Sequence, residues 1–477
     1  MRESLVAGVA GLTMTLAASA AMAADRAVPG PTGTQHAQGV AGTAPASGSA
    51  MQELIETLHD NGTIDDAAYQ RLRAAAAADA GSLRQQPAAV AVAKTPTPKA
   101  TTPASHVSTK GGMLKFSSAD GDDQFQVGGR IEVDGAVYAA DKRELGNGTE
   151  LRRARLFMAG KINDIWGFKS EFDFAGGNVG LTDVYIQNTL FPWTITLGHF
   201  KEYYSLEQQT SEKYITFMER SLPGAFFPGR NLGLGLTNGG DTWSASFGMF
   251  GEGFKTNNDT AGKEQDAGYG TTGRVTWAPF GGGDHVLHLG ASASYRKLND
   301  SNILRYSSRP ESNITNVRLV DTGVIDDTDS RTLYGLEAAG VVGPWSAQGE
   351  YFLANANRRS GGDVDFNGWY VQTAYVLTGE SRNYNPATGT FGRFKPARSV
   401  SAGGPGAWQL AARISEVDLN DGAINGGKER NLTFGVNWFL EPTLRLSLNY
   451  VNVLSVDGGP NAGDKPSSYE ARAYIDF

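Results

Sequence analysis

Gln124-Phe125-Gln126-Val127-Gly128-Gly129-Arg130-Ile131-Glu132-Val133-Asp134-Gly135-Ala136-Val137 puts Phe125, Val127, Gly129, Ile131, Val133, Gly135 and Val137 on one parity, and Gln124, Gln126, Gly128, Arg130, Glu132, Asp134 and Ala136 on the other. Side chains alternate across a strand, whereas the apolar positions of an amphipathic helix recur at three and four. The stretch therefore reads as a long strand with one greasy face and one charged face. The same period returns in Phe168, Ser170, Phe172 and Phe174 against Lys169, Glu171 and Asp173, and again through 444–450 and 469–477.

Working outward, the pattern predicts strands at 124–138, 151–161, 168–174, 181–188, 194–200, 231–238, 243–250, 269–277, 285–296, 331–340, 345–355, 367–378, 408–417, 431–440, 444–454 and 469–477. Segments of about nine or ten residues match the ~9–11 needed to cross a bilayer at a tilt of ~45°. Hydrocarbon leaves no partner for a free amide, so strands can span it only in a closed barrel. Sixteen strands that are each half polar would leave a soluble sandwich with too little core. The fold class is all-β, a transmembrane antiparallel β-barrel of about sixteen strands. Trp166, Trp193, Trp243, Trp345 and Tyr450, near strand ends, are candidates for interfacial girdles.

Composition agrees. The 477 residues include 61 Gly and no Cys, which excludes a disulfide scaffold, a thiolate metal site and a cysteine nucleophile. Arg2, the apolar stretch from Leu5 to Ala20 and the small-x-small site Ala21-Met22-Ala23 form a signal peptide over 1–23, with export through the Sec pathway. Residues 24–50 are rich in Gly, Ala, Pro, Ser and Thr and are expected to be disordered. In 51–78, Leu54, Ile55 and Leu58 share a helical face, Asn61-Gly62 breaks it, and Asp65 or Asp66 can cap a second helix carrying Tyr69 and Leu72. A flexible Ala/Pro-rich linker over 79–110 leads into the barrel domain, 111–477. The net charge of −8 and the lack of a basic tract disfavour nucleic acid as a partner.

Connections alternate in length. Asn163-Asp164, Gly239-Gly240-Asp241 and Glu441-Pro442 are tight, while 201–230, 251–268, 297–330, 379–407 and 455–468 are long. By the usual asymmetry the short turns face the periplasm and the long loops the outside. Selectivity in a water-filled pore needs fixed charge at a narrow place. Arg152, Arg153 and Arg155 open the second strand, with Arg153 and Arg155 on one face and Arg152 on the other unless the strand bends. Lys201, Lys213, Arg220 and Arg230 surround the long loop 201–230, with Arg274 and Arg296 further on. Guanidinium forks and mobile ammonium groups are what an anion path would use. Signatures of catalysis are absent: no Gly-x-Ser-x-Gly elbow and no P-loop lysine is found. His285 and His288, beside Asp284, read as a turn rather than a zinc site, and no cofactor pattern is found.

Several ordered motifs resemble the phosphate-selective porin O and P family. They are Leu151-Arg152-Arg153-Ala154-Arg155-Leu156, Phe168 to Phe174, Leu197-Gly198-His199-Phe200-Lys201-Glu202, Phe217-Met218-Glu219-Arg220-Ser221, Leu377-Thr378-Gly379-Glu380 with Arg382-Asn383-Tyr384, and Gly406 to Arg413. The resemblance implies a trimeric sixteen-stranded porin whose third loop folds into the pore, with an arginine ladder and a basic constriction that passes phosphate. It places the family's strand arginine pair on Arg152 and Arg153, its third-loop arginine on Arg220, its loop serine on Ser211 and a following lysine on Lys213. Two positions depart: Gln208 stands where the family's phosphate porins carry a lysine, and Glu212 where they carry a serine. Losing a cation and gaining a carboxylate weakens the pull on a dianion. The reading is thus a passive outer-membrane channel of a Gram-negative bacterium for small solutes, with a preference for anions such as phosphate. Its expected partners are small inorganic anions, outer-membrane lipid and two further copies of the chain. The rivals are a weakly selective general porin, and a structural barrel touching the cell wall or a periplasmic partner through 51–78.

Overall fold

Arg130, Glu132 and Asp134 are buried, whereas Ile131, Val133 and Val137, between and beyond them, are exposed. This is the reverse of a soluble sheet, and it fits a wall with lipid outside and a polar lumen within. The computed structural model describes residues 59–60, 65–82, 105–109, 111–253, 267–299 and 301–477. The signal peptide, the segment 24–50 and most of the linker lie outside them.

Sixteen antiparallel strands form the wall: β1 (Gln124–Ala139), β2 (Gly148–Ile162), β3 (Trp166–Asp173), β4 (Gly180–Asn188), β5 (Thr194–Lys201), β6 (Arg230–Gly239), β7 (Trp243–Phe250), β8 (Tyr269–Gly282), β9 (His285–Lys297), β10 (Thr328–Val342), β11 (Trp345–Arg358), β12 (Val364–Val376), β13 (Ala407–Asp421), β14 (Ile424–Glu441), β15 (Leu444–Asp457) and β16 (Ser467–Asp476). The last strand pairs with the first, from Ser467 opposite Ala139 to Asp476 opposite Arg130, and closes the barrel. Each expected strand is present. Many run further than the alternation suggested, because pairing continues past the bilayer where both faces are wet and the hydrophobic period fades. Two short strands, His106–Ser108 and Leu114–Ser117, extend the sheet from the start of β1.

Trp166, Trp193, Trp243, Trp277, Trp345 and Trp408 are exposed at the rim of the short turns, and Tyr269, Tyr295, Tyr334 and Tyr469 are exposed towards the opposite rim. These two belts mark where an amphipathic ring finds both lipid and water. Ahead of the barrel, a helix α1 (Asp66–Ser82) is capped by Asp65, whose Oδ1 accepts from the Ala68 amide at 2.7 Å. His59 stacks on Tyr69, with ring centroids 4.3 Å apart.

Two expectations need correction. Strand direction puts residues 377–406 on the rim of the short turns, although length alone assigned that loop to the outside. Its hairpin, with Tyr384 and Phe391 buried against Leu206, Ala278, Val286 and Val341, turns inward and fills part of the lumen. Nor do His285 and His288 form a turn. Both lie in β9, with His288 buried between the Tyr384 hydroxyl at 2.6 Å and Glu337 at 3.2 Å.

The apolar core of this molecule sits inside the barrel. Tyr204, Leu222 and Phe226 of the loop 202–229, with Tyr306, Leu319 and Ile325 of the loop 298–327, pack on Phe352, Phe366 and Tyr370 of the wall. Burial of these side chains, worth about 1.5–3 kcal/mol each, holds the two loops against one side of the lumen and leaves the pathway on the other.

Candidate functional site

Loop 202–229 is fixed at many points. A helical turn, Leu206–Gln209, has its first amides sealed by Glu350 of β11, which accepts from Leu206 N at 2.9 Å and Glu207 N at 2.8 Å. The loop's carbonyls are then claimed in sequence by the wall: Ile215 by Arg445 at 3.0 Å, Thr216 by Asn437 at 2.8 Å and Met218 by Arg472 at 2.5 Å. A backbone so tied is held against the wall along its length.

Three adjoining cavities follow the lumen past this loop. The outer one, about 350 Å³, is lined by Arg152, Arg153, Arg220 and Arg309. The middle one, about 380 Å³, is lined by Arg130, Arg155, Lys169, Asp183, Ser211 and Lys213. Lys201, Glu212 and Arg230 line both, so they stand at the junction. The inner cavity, about 600 Å³, shares Tyr185, Gln187, Tyr203, Gln209 and Thr237 with the middle one and ends on Arg274 and Thr388. Of the ten residues singled out in the sequence, Arg152, Arg153, Arg155, Lys201, Ser211, Lys213, Arg220, Arg230 and Arg274 line these cavities, and Arg296 does not.

Their pairing was not legible beforehand. Arg152 is bulged out of register: Glu132 faces Arg153 and Val133 faces Leu151, so Arg152 has no cross-strand partner and turns into the lumen despite its parity. Arg155 is held by Asp173 at 2.7 Å, Arg230 by Asp183 at 2.7 Å, and Lys169 by the same Asp183 at 2.7 Å. Lys213 reaches Asp476 at 3.4 Å. The Ser211 hydroxyl accepts from the Lys213 amide at 3.4 Å. Lys201 donates to the Gln208 carbonyl at 2.6 Å and has no carboxylate within ion-pair distance among the described residues.

Arg130 and Glu212 complete the site. The Glu212 carboxylate accepts from Arg130 Nη2 at 2.8 Å, Arg220 Nη1 at 2.9 Å and Arg155 Nη1 at 3.4 Å, and Arg153 Nε lies 3.0 Å away as an ion pair without a hydrogen bond. Burial works to raise the Glu212 carboxyl, but the guanidiniums of Arg153, Arg220, Arg130 and Arg155 hold it well below the usual carboxylate range. Arg130 could have been found from the alternation of β1, which puts it on the lumen parity. Arg274, further in, is engaged with Glu337 at 2.8 Å and with the Gly389 carbonyl at 2.7 Å, and Arg296 binds Glu202 behind the loop.

The model of the phosphate-selective porin O and P family matches residues 125–477. The chain belongs to that family. An uncharacterized protein of Caulobacter vibrioides is 33% identical over 410 residues, covering 82% of this chain and 81% of that one. Porin O of Pseudomonas aeruginosa is 25% identical over 400 residues, covering 75% of this chain and 89% of its own length. Among solved structures, an anion-selective porin from Comamonas acidovorans aligns with a TM-score of 0.50 at 14% identity, covering 74% of this chain and all of that one, which speaks for the fold alone. As a member of the porin O and P family, the chain is a passive outer-membrane channel of a Gram-negative bacterium and not an enzyme. Water and solutes move through it down their gradients, steered by fixed charge.

Proposed function

We propose that this porin prefers small anions, with phosphate among them, and that the preference is set where Lys201, Arg220 and Arg230 meet. The observation that carries this is the convergence of Lys201, Arg220 and Arg230 at the junction of the outer and middle cavities, where Lys201 has no carboxylate within ion-pair distance among the described residues and the two guanidiniums stay charged. A net positive eyelet lowers the barrier for an anion and raises it for a cation. Many of the other basic groups on the route are matched by carboxylates, so the preference is moderate and the site does not hold its solute tightly. The test is the reversal potential of reconstituted channels in a potassium chloride gradient, repeated with phosphate. Anion bias supports the reading, and cation bias removes it.

We further infer assembly as a homotrimer. Supporting this, β3 to β7 have only 8 to 10 residues, against 13 to 18 in β8 to β15, so one side of the wall is low and carries exposed Ile186, Leu197, Leu234 and Phe247. Crosslinking in the outer membrane should give a species of three chains. The segment 51–78 is assigned a periplasmic or cell-wall contact, for which exposed Leu72 on α1 is a docking candidate. Removing 25–110 should leave conductance unchanged and loosen attachment to the cell wall.

A further inference from the structure

Four guanidiniums converging on one point of a pore are a ready receptor for an oxyanion, because each fork can give two parallel donors to carboxylate or phosphate oxygens. In this chain that point is already filled. The Glu212 carboxylate stands 2.8 Å from Arg130, 2.9 Å from Arg220, 3.0 Å from Arg153 and 3.4 Å from Arg155. It comes from the inserted loop rather than from the wall that carries three of the four arginines, so it enters the cage from the lumen side.

We propose that Glu212 is a tethered anion: it occupies, in the resting channel, an oxyanion site made by Arg130, Arg153, Arg155 and Arg220, and thereby keeps permeating phosphate from docking there. The inference rests on the anion-conducting reading above and adds what the cage does to the solute.

The neighbours support this arrangement. Glu132 lies behind the cage, 2.5 Å from Arg153 and 3.3 Å from Arg130, and Asp173 and Glu171 flank Arg155 at 2.7 and 3.3 Å. These acids belong to the wall and remain if Glu212 is withdrawn. Arg220 is different, since Glu212 is the carboxylate it meets within ion-pair distance. Removing the Glu212 charge therefore leaves Arg220 without a carboxylate within ion-pair distance among the described residues, still donating to the Glu207 and Gln208 carbonyls at 3.3 and 3.5 Å, and uncovers one face of three other guanidiniums. A covalently attached carboxylate competes at an effective concentration on the order of millimolar, so a free anion must exceed that to displace it. Solutes then pass Lys201 and Arg230 without being captured, and the pore conducts without saturating.

The experiment is block of chloride current by inorganic phosphate in planar bilayers, comparing the full-length wild-type porin with Glu212→Gln. The amide keeps the shape and loses the charge. The half-blocking phosphate concentration should fall by about tenfold or more, the signature of an opened site. Asp183→Asn serves as the control, since Asp183 lines the same cavity but engages Lys169 and Arg230 instead of the cage. Should Asp183→Asn lower the half-blocking concentration as much as Glu212→Gln, or should neither lower it, the tethered-anion proposal is overturned. Glu212→Asp, which retracts the carboxylate by one methylene, should fall between wild type and the amide, and covers the case in which Glu212→Gln does not assemble. The wild-type protein supplies a measurement of its own: phosphate current that saturates at sub-millimolar phosphate overturns the proposal without any variant. Cation bias of the wild type in chloride alone would instead remove the reading on which the proposal rests.

Discussion

Arg152 on the wall and Glu219 on the inserted loop form a two-pronged contact, Nε to Oε1 at 2.8 Å and Nη2 to Oε2 at 2.9 Å, although the two residues are 67 positions apart. Arg472 reaches the same Oε1 at 2.7 Å from the last strand. One carboxylate thus pins the loop to β2 and β16 at once. Arg152→Met should lower stability by about 1.5–3 kcal/mol, the worth of a charge-assisted pair. Urea unfolding of refolded barrels in detergent reads that cost, and open-channel noise should rise as the loop loosens. Unchanged stability and noise together would show that Arg472 suffices.

The same pair has a defined acid dependence. Burial works to raise the Glu219 carboxyl, but Arg152, Arg472 and Arg153 hold it well below the usual carboxylate range. A depressed carboxyl gives stability that is full above its unfolded value, near 4.3, and is lost as pH falls through the folded one. The stability difference between wild type and Arg152→Met should therefore stay constant from about pH 7 to pH 5 and shrink only in stronger acid. A difference already shrinking at neutral pH would mean that Glu219 is not the partner that matters.

Lys201 and Lys213 both line the route, yet among the described residues only Lys213 has an acid, Asp476, within ion-pair distance. Lys201→Met should cut the anion-to-cation permeability ratio by roughly threefold to tenfold, and Lys213→Met by clearly less. Reversal potentials in a salt gradient check both. Equal effects would place the selecting charge elsewhere than at the junction.

Gly235 of β6 makes room for the aromatic wall. A Cβ there would lie 2.2 Å from the Tyr203 hydroxyl oxygen and 2.9 Å from the Phe200 ring. Gly235→Val should push Tyr203 towards the shared wall of the middle and inner cavities, lower single-channel conductance, and cost about 1–3 kcal/mol by overpacking. Conductance equal to wild type would show that the rings relax away from the path.

Arg274 holds the inward hairpin of the 377–406 loop through the carbonyls of Thr388 and Gly389 at 3.3 and 2.7 Å. Deleting 385–389 should raise conductance by opening the inner cavity. An unchanged value would locate the whole resistance at loop 202–229.

By itself the sequence determined the wall. A period of two, with greasy residues on one parity and charged ones on the other, is a local consequence of strand geometry, and it marked all sixteen strands and the shared face of Arg153 and Arg155. It also offered basic candidates, and through the family resemblance Ser211, most of which line the lumen cavities while Arg296 does not. Tertiary structure alone decided how those charges pair, because an ion pair between Arg152 and Glu219 depends on a one-residue slip in register and on a loop folding back across the lumen. It likewise decided that 377–406 sits on the periplasmic rim, since strand direction overrules loop length, and that the apolar core lies inside the barrel between loops and wall. Above all it set Glu212 in a cage of four arginines. Alternation records which face a side chain takes, and contacts between distant segments leave no period in the chain.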